Sequence, residues 1–434
     1  MTFDFIWLVY ATPLSLLLWG HLRLRRRRES RSSVALEEAK AAGLTEPPSL
    51  HPVIDPAICV GSGACAMACP EQALGIVNGK AVLINPSHCI GHGACAAACP
   101  AEAITLVFGT EKRGMDIPYV QPTFETNVRG IYIAGELGGM GLVRKAAEQG
   151  RQAMQNIAKQ KSREGILDVL IVGAGPAGLT ATLGAMEHKL RFATIEQEDS
   201  LGGTVYHYPR NKIVMTQPIN LPIVGKARLG EISKESLLAF WQNIVEKVSM
   251  PLNFGEPMEK VEAANDGRGF IVRTPKREYL TRNLLLAIGR RGTPRKLGVP
   301  GEEHPKVVYR LIDAEQYRGM QVIVVGGGDS AIEAAVSIAE QPGTAVTLSY
   351  RGEAFGRVKP KNRDRVKDAE ADGRLTVALN SRILAIAPQT VSMEEAGVQK
   401  ELRNDAVIVC AGGILPTPML KELGIRVEAK FGTQ

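Results

Sequence analysis

Six of the seven cysteines fall into two runs whose spacing suits metal chemistry. The runs are CVGSGACAMACP at residues 59–70 and CIGHGACAAACP at residues 89–100. Their cysteines are Cys59, Cys65, Cys69, Cys89, Cys95 and Cys99. Thiolates at short, regular spacings are the usual ligands of iron–sulfur clusters, and the glycines allow a loop to fold tightly around one. This clustering does not suit a secreted disulfide scaffold, so we expect a reducing compartment.

Each run resembles half of a bacterial two-cluster ferredoxin. That family carries C-x2-C-x2-C-x3-C-P twice, and the last cysteine of each run ligates the other cluster. Here the second cysteine of each run is missing, with Ser62 in the first run and His92 in the second. The resemblance covers residues 51–107 and implies two clusters, each with three cysteine ligands. They would be Cys59, Cys65 and Cys99 beside Ser62, and Cys89, Cys95 and Cys69 beside His92.

The two altered corners leave the cluster type open. Each corner could bind iron through its side chain, hold a labile iron, or stay empty and give a three-iron cluster. His92 is the better iron ligand, because neutral imidazole binds iron readily whereas a serine must first lose a proton. We therefore include His92 among the metal ligands. The alternative is a degenerate ferredoxin fold that no longer carries metal, and six cysteines in register argue against it.

A first glycine motif lies in DVLIVGAGPAGLTATLGA, residues 168–185. Strand-forming residues precede the motif and an alanine-rich helical pattern follows, which is the context of a dinucleotide site. The pyrophosphate would approach the helix N-terminus, and Glu196 after the next strand would hold a ribose hydroxyl. The residues expected at this site are Gly173, Gly175, Pro176, Ala177, Gly178 and Glu196.

A second motif lies in MQVIVVGGGDSAIEAAVSIAE, residues 320–340. Arg351 ends the following strand where NAD-binding proteins carry an acid, and Arg357, Lys359 and Lys361 come later. A positive charge there suits a 2′-phosphate, so we favour NADP over NAD, although these residues could also be a solvated surface run. The residues expected at this site are Gly326, Gly328, Asp329, Ser330, Ala331 and Arg351.

Together these segments resemble the low-molecular-weight thioredoxin reductase-like flavoproteins, which include ferredoxin–NADP reductases and small disulfide reductases. The landmarks are GAGPAG, LGGTVYHYPR, LLLAIGRRGTPRKLGVPGE and GGGDSAIEAA. The resemblance implies FAD at the first motif and NADP(H) at the second. It adds Gly202, Gly203 and Thr204 to the flavin site.

The segment that normally ends such a flavoprotein lies upstream here. TNVRGIYIAGELGGMGLVRKAAEQGRQAMQNIAK, residues 126–159, precedes the first glycine motif, so the order looks circularly permuted. By the resemblance, Gly135 and Glu136 belong to the flavin site, with Glu136 in place of an aspartate that contacts the ribityl chain.

The predicted fold is α/β, with two Rossmann-like three-layer domains for FAD and NAD(P), a small α+β ferredoxin domain and one N-terminal transmembrane helix. The predicted segments are 1–28 anchor and basic stop, 29–50 linker, 51–107 ferredoxin, 108–160 permuted flavin segment, 165–296 FAD domain, 297–412 NAD(P) domain, and 413–434 return to the FAD domain.

The N-terminus predicts a membrane anchor. FIWLVYATPLSLLLWGHL, residues 5–22, is about long enough to span a bilayer, and RLRRRR follows it. Charge after the apolar run excludes a cleaved signal peptide and places the rest of the chain in the cytoplasm, so we expect a single-pass inner-membrane protein. A helix buried in a soluble core is the alternative. Residues 1–32 carry six arginines and two acids, or +4 of the formal +7, so nucleic-acid binding is not expected.

The function that uses every part is electron transfer between NAD(P)H, FAD and ferredoxin-type clusters, and on to a quinone or redox protein at the membrane. The direction of flow is open, and so is a homodimer. One alternative is an NADPH-dependent reductase of a small disulfide. VVYRLIDAEQYRGM has no cysteine where thioredoxin reductases carry their dithiol, and Cys410 reads as a structural thiol. The other alternative is a non-catalytic redox or oxygen sensor. His207 and Tyr208, which follow the GGT loop, could contact flavin or substrate, or could equally be packing residues.

Overall fold

The structure is a computed structural model of the 434-residue chain. It describes every residue except 1, 2, 42, 43, 48, 49, 112, 140, 161–163, 209, 211, 217, 265, 266, 268, 291, 356, 357, 359, 433 and 434. The side chains of residues 3–9, 215, 293, 360 and 361 are also left out of the description. The predicted contributions of Arg357, Lys359 and the Lys361 side chain therefore lie outside the described residues.

The chain forms two compact units. The first comprises Met1–Gly114, Gly356–Pro360 and Lys430–Gln434, and the second comprises Met115–Phe355 and Lys361–Ala429. The described helices are α1 (Phe3–Ala41), α2 (Ala64–Ala68), α3 (Ala94–Ala97), α4 (Val143–Ala158), α5 (Pro176–Glu187), α6 (Lys234–Lys247), α7 (Asp329–Ala339), α8 (Pro360–Ala371) and α9 (Thr417–Glu422).

The strands of the first unit are β1 (His51–Ile54), β2 (Leu74–Val77), β3 (Lys80–Leu83) and β4 (Ile104–Val107). Two antiparallel pairs, β1 with β4 and β2 with β3, are joined through the short helices α2 and α3. Each of these helices begins directly after a glycine in the left-handed region, Gly63 at φ 75° and Gly93 at φ 74°. A side chain would strain both turns, so the repeated glycines fix the loops that carry the cysteines.

Helix α1 continues beyond the predicted anchor. We predicted a linker with at most one short helix over residues 29–50, but the helix runs without a break to Ala41. The sequence VALEEAKA is rich in strong helix formers, and Ala39 is buried against the unit, so propensity and packing both extend the helix. Among the helices whose residues are described, none is long and apolar enough to cross a membrane.

The strands of the second unit follow in chain order. They are β5 (Met115–Pro118), β6 (Ile131–Ile133), β7 (Leu167–Val172), β8 (Phe192–Ile195), β9 (Ile213–Met215), β10 (Ile219–Leu221), β11 (Gly225–Ala227), β12 (Glu231–Ser233), β13 (Lys260–Ala263), β14 (Phe270–Arg273), β15 (Glu278–Leu286), β16 (Thr293–Pro294), β17 (Val307–Val308), β18 (Gln321–Val325), β19 (Ala345–Ser349), β20 (Leu375–Ala378), β21 (Ser381–Ile386), β22 (Thr390–Glu395), β23 (Val398–Arg403), β24 (Ala406–Val409), β25 (Gly413–Ile414) and β26 (Val427–Lys430).

A six-stranded sheet carries the first glycine motif. Its order is β13-β14-β15-β7-β8, and β6 pairs in parallel with the second half of β15. Strands β15, β7 and β8 are parallel to one another, and most of their residues are buried. Parallel strands covered on both faces are apolar throughout, which explains the run DVLIVG.

The permuted segment completes this same sheet. Ile131–Ile133 pairs in register with Leu284–Leu286, and α4 packs along α5. Two small residues permit the close approach, since a Cβ on Gly150 of α4 would overlap the carbonyl oxygen of Ala177 in α5. The segment that precedes the first glycine motif in the sequence is therefore part of the same sheet as that motif.

A second, five-stranded parallel sheet carries the second glycine motif, in the order β17-β24-β18-β19-β20. The three-stranded antiparallel sheet β21-β22-β23 packs its buried residues Ile383, Val391 and Met393 against the same core. Both parallel sheets belong to the second unit, and the cysteine runs lie in the first, so the described structure matches the predicted α/β class with an additional small α+β domain.

Candidate functional site

A cavity of about 1050 Å³ lies in the second unit, at the carboxyl ends of the strands that carry the first glycine motif. Its walls combine that motif, the permuted segment and the connection into the second sheet. Ordinary small-molecule sites occupy about 300–1,000 Å³, so this cavity has room for an extended ligand. Ligands of open α/β sheets bind at this edge.

The first glycine motif forms the cavity floor. Gly173, Gly175, Pro176 and Ala177 line it, and α5 begins directly after Gly175. Gly173 has φ 109°, and a Cβ there would lie 2.6 Å from the carbonyl oxygen of Ala287. A Cβ on Gly175 would meet nothing within 3.7 Å of protein, because that face opens to the cavity. The free N-terminal amides of α5 therefore face a space in which an anion is stabilised.

Glu196 holds the glycine turn as well as lining the cavity. Its carboxylate accepts a hydrogen bond from the backbone N–H of Ala174 at 2.6 Å and another from the N–H of Glu198 at 3.1 Å. The side chain is buried. Two backbone donors therefore already hold Glu196, the residue predicted to bind the ribose, in place.

Gly203 and Thr204 form the opposite wall, within a 3₁₀ turn that follows Gly202. Gly202 has φ 109° and its amide donates to the carbonyl oxygen of Ala174, which ties this loop to the glycine turn. Gly178 faces inward instead, where a Cβ would overlap the carbonyl oxygen of Gly173. It serves the packing of helix on strand rather than the cavity surface.

The permuted segment brings Gly135 and Glu136 to the cavity wall. Burial raises the pKa of the Glu136 carboxyl, while the nearby Arg290 guanidinium opposes that rise. Arg290 is itself tied down, donating to the carbonyl oxygen of Asp116 at 2.7 Å. Gly141, Leu142 and Val143, where α4 begins, also line the wall and were not predicted.

The second glycine motif has the expected strand–turn–helix geometry. Gly326 has φ 147°, a Cβ on it would approach the carbonyl oxygen of Cys410, and α7 begins directly after Gly328. Gly328 and Ser330 are exposed and Ala331 is buried, so the helix N-terminus is open to a phosphate. Asp329 is the first residue of α7, and its carboxylate accepts a hydrogen bond from the side-chain amide of Asn362 at 2.7 Å.

Two aromatic rings lie beside this motif. Tyr350 and Phe355 stack with 5.6 Å between ring centroids, and the Tyr350 ring lies so close to Gly327 that a Cβ there would overlap it. Arg351, the predicted 2′-phosphate ligand, is exposed next to them. Sequence reasoning missed the ring pair, although two aromatics around an arginine at a strand end were a visible signal.

A charged chain crosses the cavity wall between the two sheets. An N–H of the Arg310 guanidinium donates to Nδ1 of His207, and Nε2 of His207 lies 3.4 Å from the carboxylate of Glu198. All three residues, and Tyr208, line the cavity. The structure thus places His207 and Tyr208 at the cavity, where the sequence left contact or packing open, and adds Arg310, for which the sequence offered no signal.

The six clustered cysteines divide between two separate small cavities of the first unit. The first, which we call site I, is lined by Cys59, Cys65 and Cys99 together with Ser62. The second, site II, is lined by Cys69, Cys89 and Cys95 together with His92. The last cysteine of each run has crossed to the other site, as the ferredoxin resemblance implied.

The surroundings of both sites suit an anionic sulfur cluster. Backbone N–H groups of Ala81, Ala73 and Ala103 point at the sulfurs of Cys59, Cys69 and Cys99, at 3.4, 3.4 and 3.3 Å. Burial, followed by the neighbouring thiols, raises the pKa of Cys65 and Cys95, and raises that of Cys89 to about 11. Thiols crowded and buried in this way ionise when a metal takes the proton's place.

Within the part of the chain that the structure describes, no three His, Cys, Asp or Glu side chains converge closely enough to hold one metal ion. A cluster does not require this, because each cysteine binds a different iron at a different corner. The three-cysteine cavities with amide donors therefore fit iron–sulfur clusters better than a single ion.

These features define a two-dinucleotide flavoprotein joined to a ferredoxin. The family model described as pyridine nucleotide-disulphide oxidoreductase matches residues 170–431, and the chain belongs to this family. The model of a 4Fe-4S dicluster domain matches residues 51–100. The chain is accordingly an FAD-dependent oxidoreductase that uses a nicotinamide nucleotide and contains an iron–sulfur domain.

Several curated relatives are similar to it. A ferredoxin–NADP reductase of Ignicoccus hospitalis is 31% identical over 61% of this chain and 83% of its own length. A bacilliredoxin reductase of Bacillus subtilis is 25% identical over 61% of this chain and 82% of its own. The solved bacillithiol disulfide reductase of Staphylococcus aureus matches with a TM-score of 0.54 and 25% identity, covering 60% of this chain and 80% of that one.

The residues present fit these cofactors. Gly173, Gly175 and Glu196 form a phosphate and ribose cradle that side chains would close, and Glu136 lies on the same cavity wall. For the clusters, three sulfurs per cavity and the amide donors around them are the matching donor set. When bound, flavin accepts a hydride and gives up single electrons to iron–sulfur centres.

Proposed function

We propose that this protein is a relay in which NADPH reduces FAD and electrons pass to two ferredoxin-type clusters and on to a redox partner. The cavity residues bind and orient the flavin and the nucleotide, while site I and site II hold the clusters. His92 would complete the ligand set of site II, and Ser62 stands at the open corner of site I. The relative named ferredoxin–NADP reductase supports this assignment.

One observation carries the proposal. Six of the chain's seven cysteines line the two cluster cavities, and the seventh, Cys410, is not among the residues that line the flavin cavity. Tyr309, Arg310 and Tyr317 occupy the stretch where the resembled reductases carry a dithiol. Among the described residues that line it, the flavin cavity thus offers no thiol to pass electrons to a disulfide.

A small-disulfide reductase is the second candidate, and the likeness to the bacillithiol disulfide reductase favours it. In that case electrons would leave the flavin within the cavity, and His207 with Arg310 would contact the substrate. The two candidates differ in whether the clusters lie on the route.

A steady-state comparison separates them. NADPH oxidation would be followed with cytochrome c, a one-electron acceptor, and with a low-molecular-weight disulfide, for the wild type, Cys95→Ala and Cys410→Ala. The relay requires that Cys95→Ala abolish cytochrome c reduction and that Cys410→Ala keep it. If Cys95→Ala keeps full turnover while the disulfide is reduced faster than cytochrome c, the relay is wrong.

We further propose that α1 attaches the protein to the cytoplasmic face of a membrane. Its described part exposes Leu14, Leu17 and Trp19, followed by five exposed arginines between residues 23 and 28. Apolar side chains beside a basic cluster suit an anionic bilayer surface. Washing membrane fractions with high salt and then with carbonate tests this proposal. A protein whose helix spans the membrane resists both washes. Release by buffer alone would show that the protein is not attached and would contradict the proposal.

A further inference from the structure

The ferredoxin part lies against α1 in a defined direction. The carboxylate of Glu29 accepts a hydrogen bond at 2.9 Å from the N–H of Gly79, in the turn between β2 and β3. Gly75, in β2, lies against Ser32, and a Cβ on it would be 2.5 Å from the serine hydroxyl. The turn of the hairpin therefore lies nearer the beginning of α1 than the middle of β2 does.

This direction places site I nearer the beginning of α1 than site II. The turn end of the hairpin belongs to site I, where Lys80 donates to the carbonyl oxygen of Cys59 at 2.7 Å and Ala81 lines the cavity. Gly61 of the same site packs on the carbonyl of Gly79. The opposite end of the hairpin, Leu74 and Leu83, lines site II.

Exposed apolar side chains, which we call the apolar rim, lie within or directly beside the segments that carry two of the site I cysteines. Val60 lines the site, Ile58 precedes Cys59, and Met67 lies in α2 two residues after Cys65. The rim consists of Ile58, Val60 and Met67, which are 48%, 69% and 74% exposed. In the second repeat Met67 is replaced by Ala97, and Ile90 in place of Val60 is half-buried. Large exposed apolar groups that flank a redox site mark an interaction surface.

The apolar part of α1 begins close by. From Glu29 back to the exposed Leu24 is five residues, or about 8 Å along the helix axis. Exposed arginines occupy the interval, at the level where the headgroups of a bilayer would lie if the leucines enter it. A continuous helix that entered the bilayer end-on would thus hold the rim of site I at the height of the lipid surface.

We propose that the apolar rim rests on an anionic lipid bilayer, and that site I is the port through which electrons reach a quinone dissolved in that bilayer. This inference rests on the proposed function and names its partner. The reaction balances as NADPH, one proton and a quinone giving NADP⁺ and a quinol, with two electrons transferred and the second quinol proton coming from the NADPH hydride. Site II, at the far end of the hairpin, does not contact the lipid.

Fluorescence can locate the rim without turnover. The full-length variants Met67→Trp and Ala97→Trp, at matched positions of the two repeats, would be bound to phosphatidylglycerol vesicles containing brominated phosphatidylcholine. The three native tryptophans are common to both variants. Bromine in the bilayer should quench the added tryptophan at 67 but not at 97. Equal quenching at the two positions, or no vesicle binding, would overturn the proposal.

The rate at which quinone re-oxidises the clusters tests whether site I is the port for electrons. The clusters would first be reduced photochemically, which bypasses NADPH and flavin. The rate at which decylubiquinone in the same vesicles re-oxidises them would then be measured for Met67→Glu and Ala97→Glu. Met67→Glu should slow it about tenfold, which corresponds to about 1.4 kcal/mol of docking energy, and Ala97→Glu should leave it unchanged. Unchanged iron content would show that both variants keep their clusters.

The results distinguish a failure of the lipid proposal from a failure of the proposed function. If Met67→Glu slows cytochrome c in solution as much as it slows quinone in vesicles, the partner of the rim is a soluble protein and the lipid proposal is wrong. If the quinone results hold but NADPH does not reduce the clusters, the proposed function fails while the port stands.

Discussion

The backbone N–H of Gly432 donates a hydrogen bond to the carbonyl oxygen of Phe108 over 2.8 Å. The end of the described chain thus lies against the beginning of the segment that, in the resembled flavoproteins, would follow it. Within the same region Gly109 packs on the carbonyl of Lys430. This proximity is what the predicted circular permutation requires.

Restoring the family order should therefore preserve the fold. We expect a chain of residues 164–432 followed directly by 109–160 to be monodisperse and to bind FAD stoichiometrically. The control is residues 164–432 alone, which lack β6, α4 and Glu136 and should not retain FAD. Failure of the reordered chain to bind flavin, measured by absorbance after gel filtration, would contradict the permutation.

Gly150→Ala should destabilise the second unit. The added methyl group would overlap the carbonyl oxygen of Ala177 where α4 crosses α5, and overpacking of this kind costs about 1–3 kcal/mol. Thermal unfolding followed by flavin fluorescence measures the loss. Gln155→Ala, an exposed position on the same helix, is the control and should unfold at the wild-type temperature. Equal midpoints for both variants would show that α4 does not pack as described.

Glu196→Gln should weaken FAD binding. The glutamine keeps the size of the side chain but loses the charge that two backbone N–H groups stabilise, and a charge-assisted hydrogen bond contributes about 1.5–3 kcal/mol. The dissociation constant of FAD from the apoprotein should therefore rise at least about tenfold. Glu187→Gln, at the end of α5, is a matched control that should bind FAD normally. An unchanged dissociation constant of FAD for Glu196→Gln would show that Glu196 does not contribute to flavin binding.

Arg351→Ala should change nucleotide preference. If the exposed guanidinium binds a 2′-phosphate, KM for NADPH should rise about tenfold while KM for NADH stays constant. Arg374→Ala, another exposed arginine of the same unit, controls for a general loss of positive charge. A parallel change of both KM values would mean that Arg351 does not read the phosphate.

The hydroxyls of two tyrosines should lose their protons only at unusually high pH. Burial raises the pKa of Tyr279 to about 12, with a further contribution from the Glu256 carboxylate that its hydroxyl contacts, and burial raises the pKa of Tyr132 to about 12 as well. Because both pKa values lie above the usual tyrosine value of about 10, the stability that these groups contribute is complete below about pH 10 and is lost as the pH rises toward 12. Ultraviolet titration of the folded protein should show a late phase, and Tyr279→Phe should reduce it. A single phase near pH 10 would contradict this burial.

The glycine motifs and cysteine runs were readable from sequence because their chemistry depends on local spacing. Gly173 and Gly326 are fixed by turns within a few residues, and the crossing of Cys69 and Cys99 between the cluster sites is what the ferredoxin resemblance implied. The charged chain of Glu198, His207 and Arg310 was not readable, since it joins residues 103 positions apart through tertiary packing. The continuation of α1 to Ala41 was underestimated for the same reason, because its contacts with the ferredoxin hairpin stabilise a segment whose charge suggested a linker.

The central claim is the route from nucleotide through flavin to iron. The direct measurement is an anaerobic NADPH titration of the full-length protein, with flavin absorbance and low-temperature paramagnetic resonance recorded at each step. The relay predicts that the flavin bleaches and that reduced-cluster signals grow with it. Flavin that bleaches fully while the assembled clusters stay oxidised would contradict it.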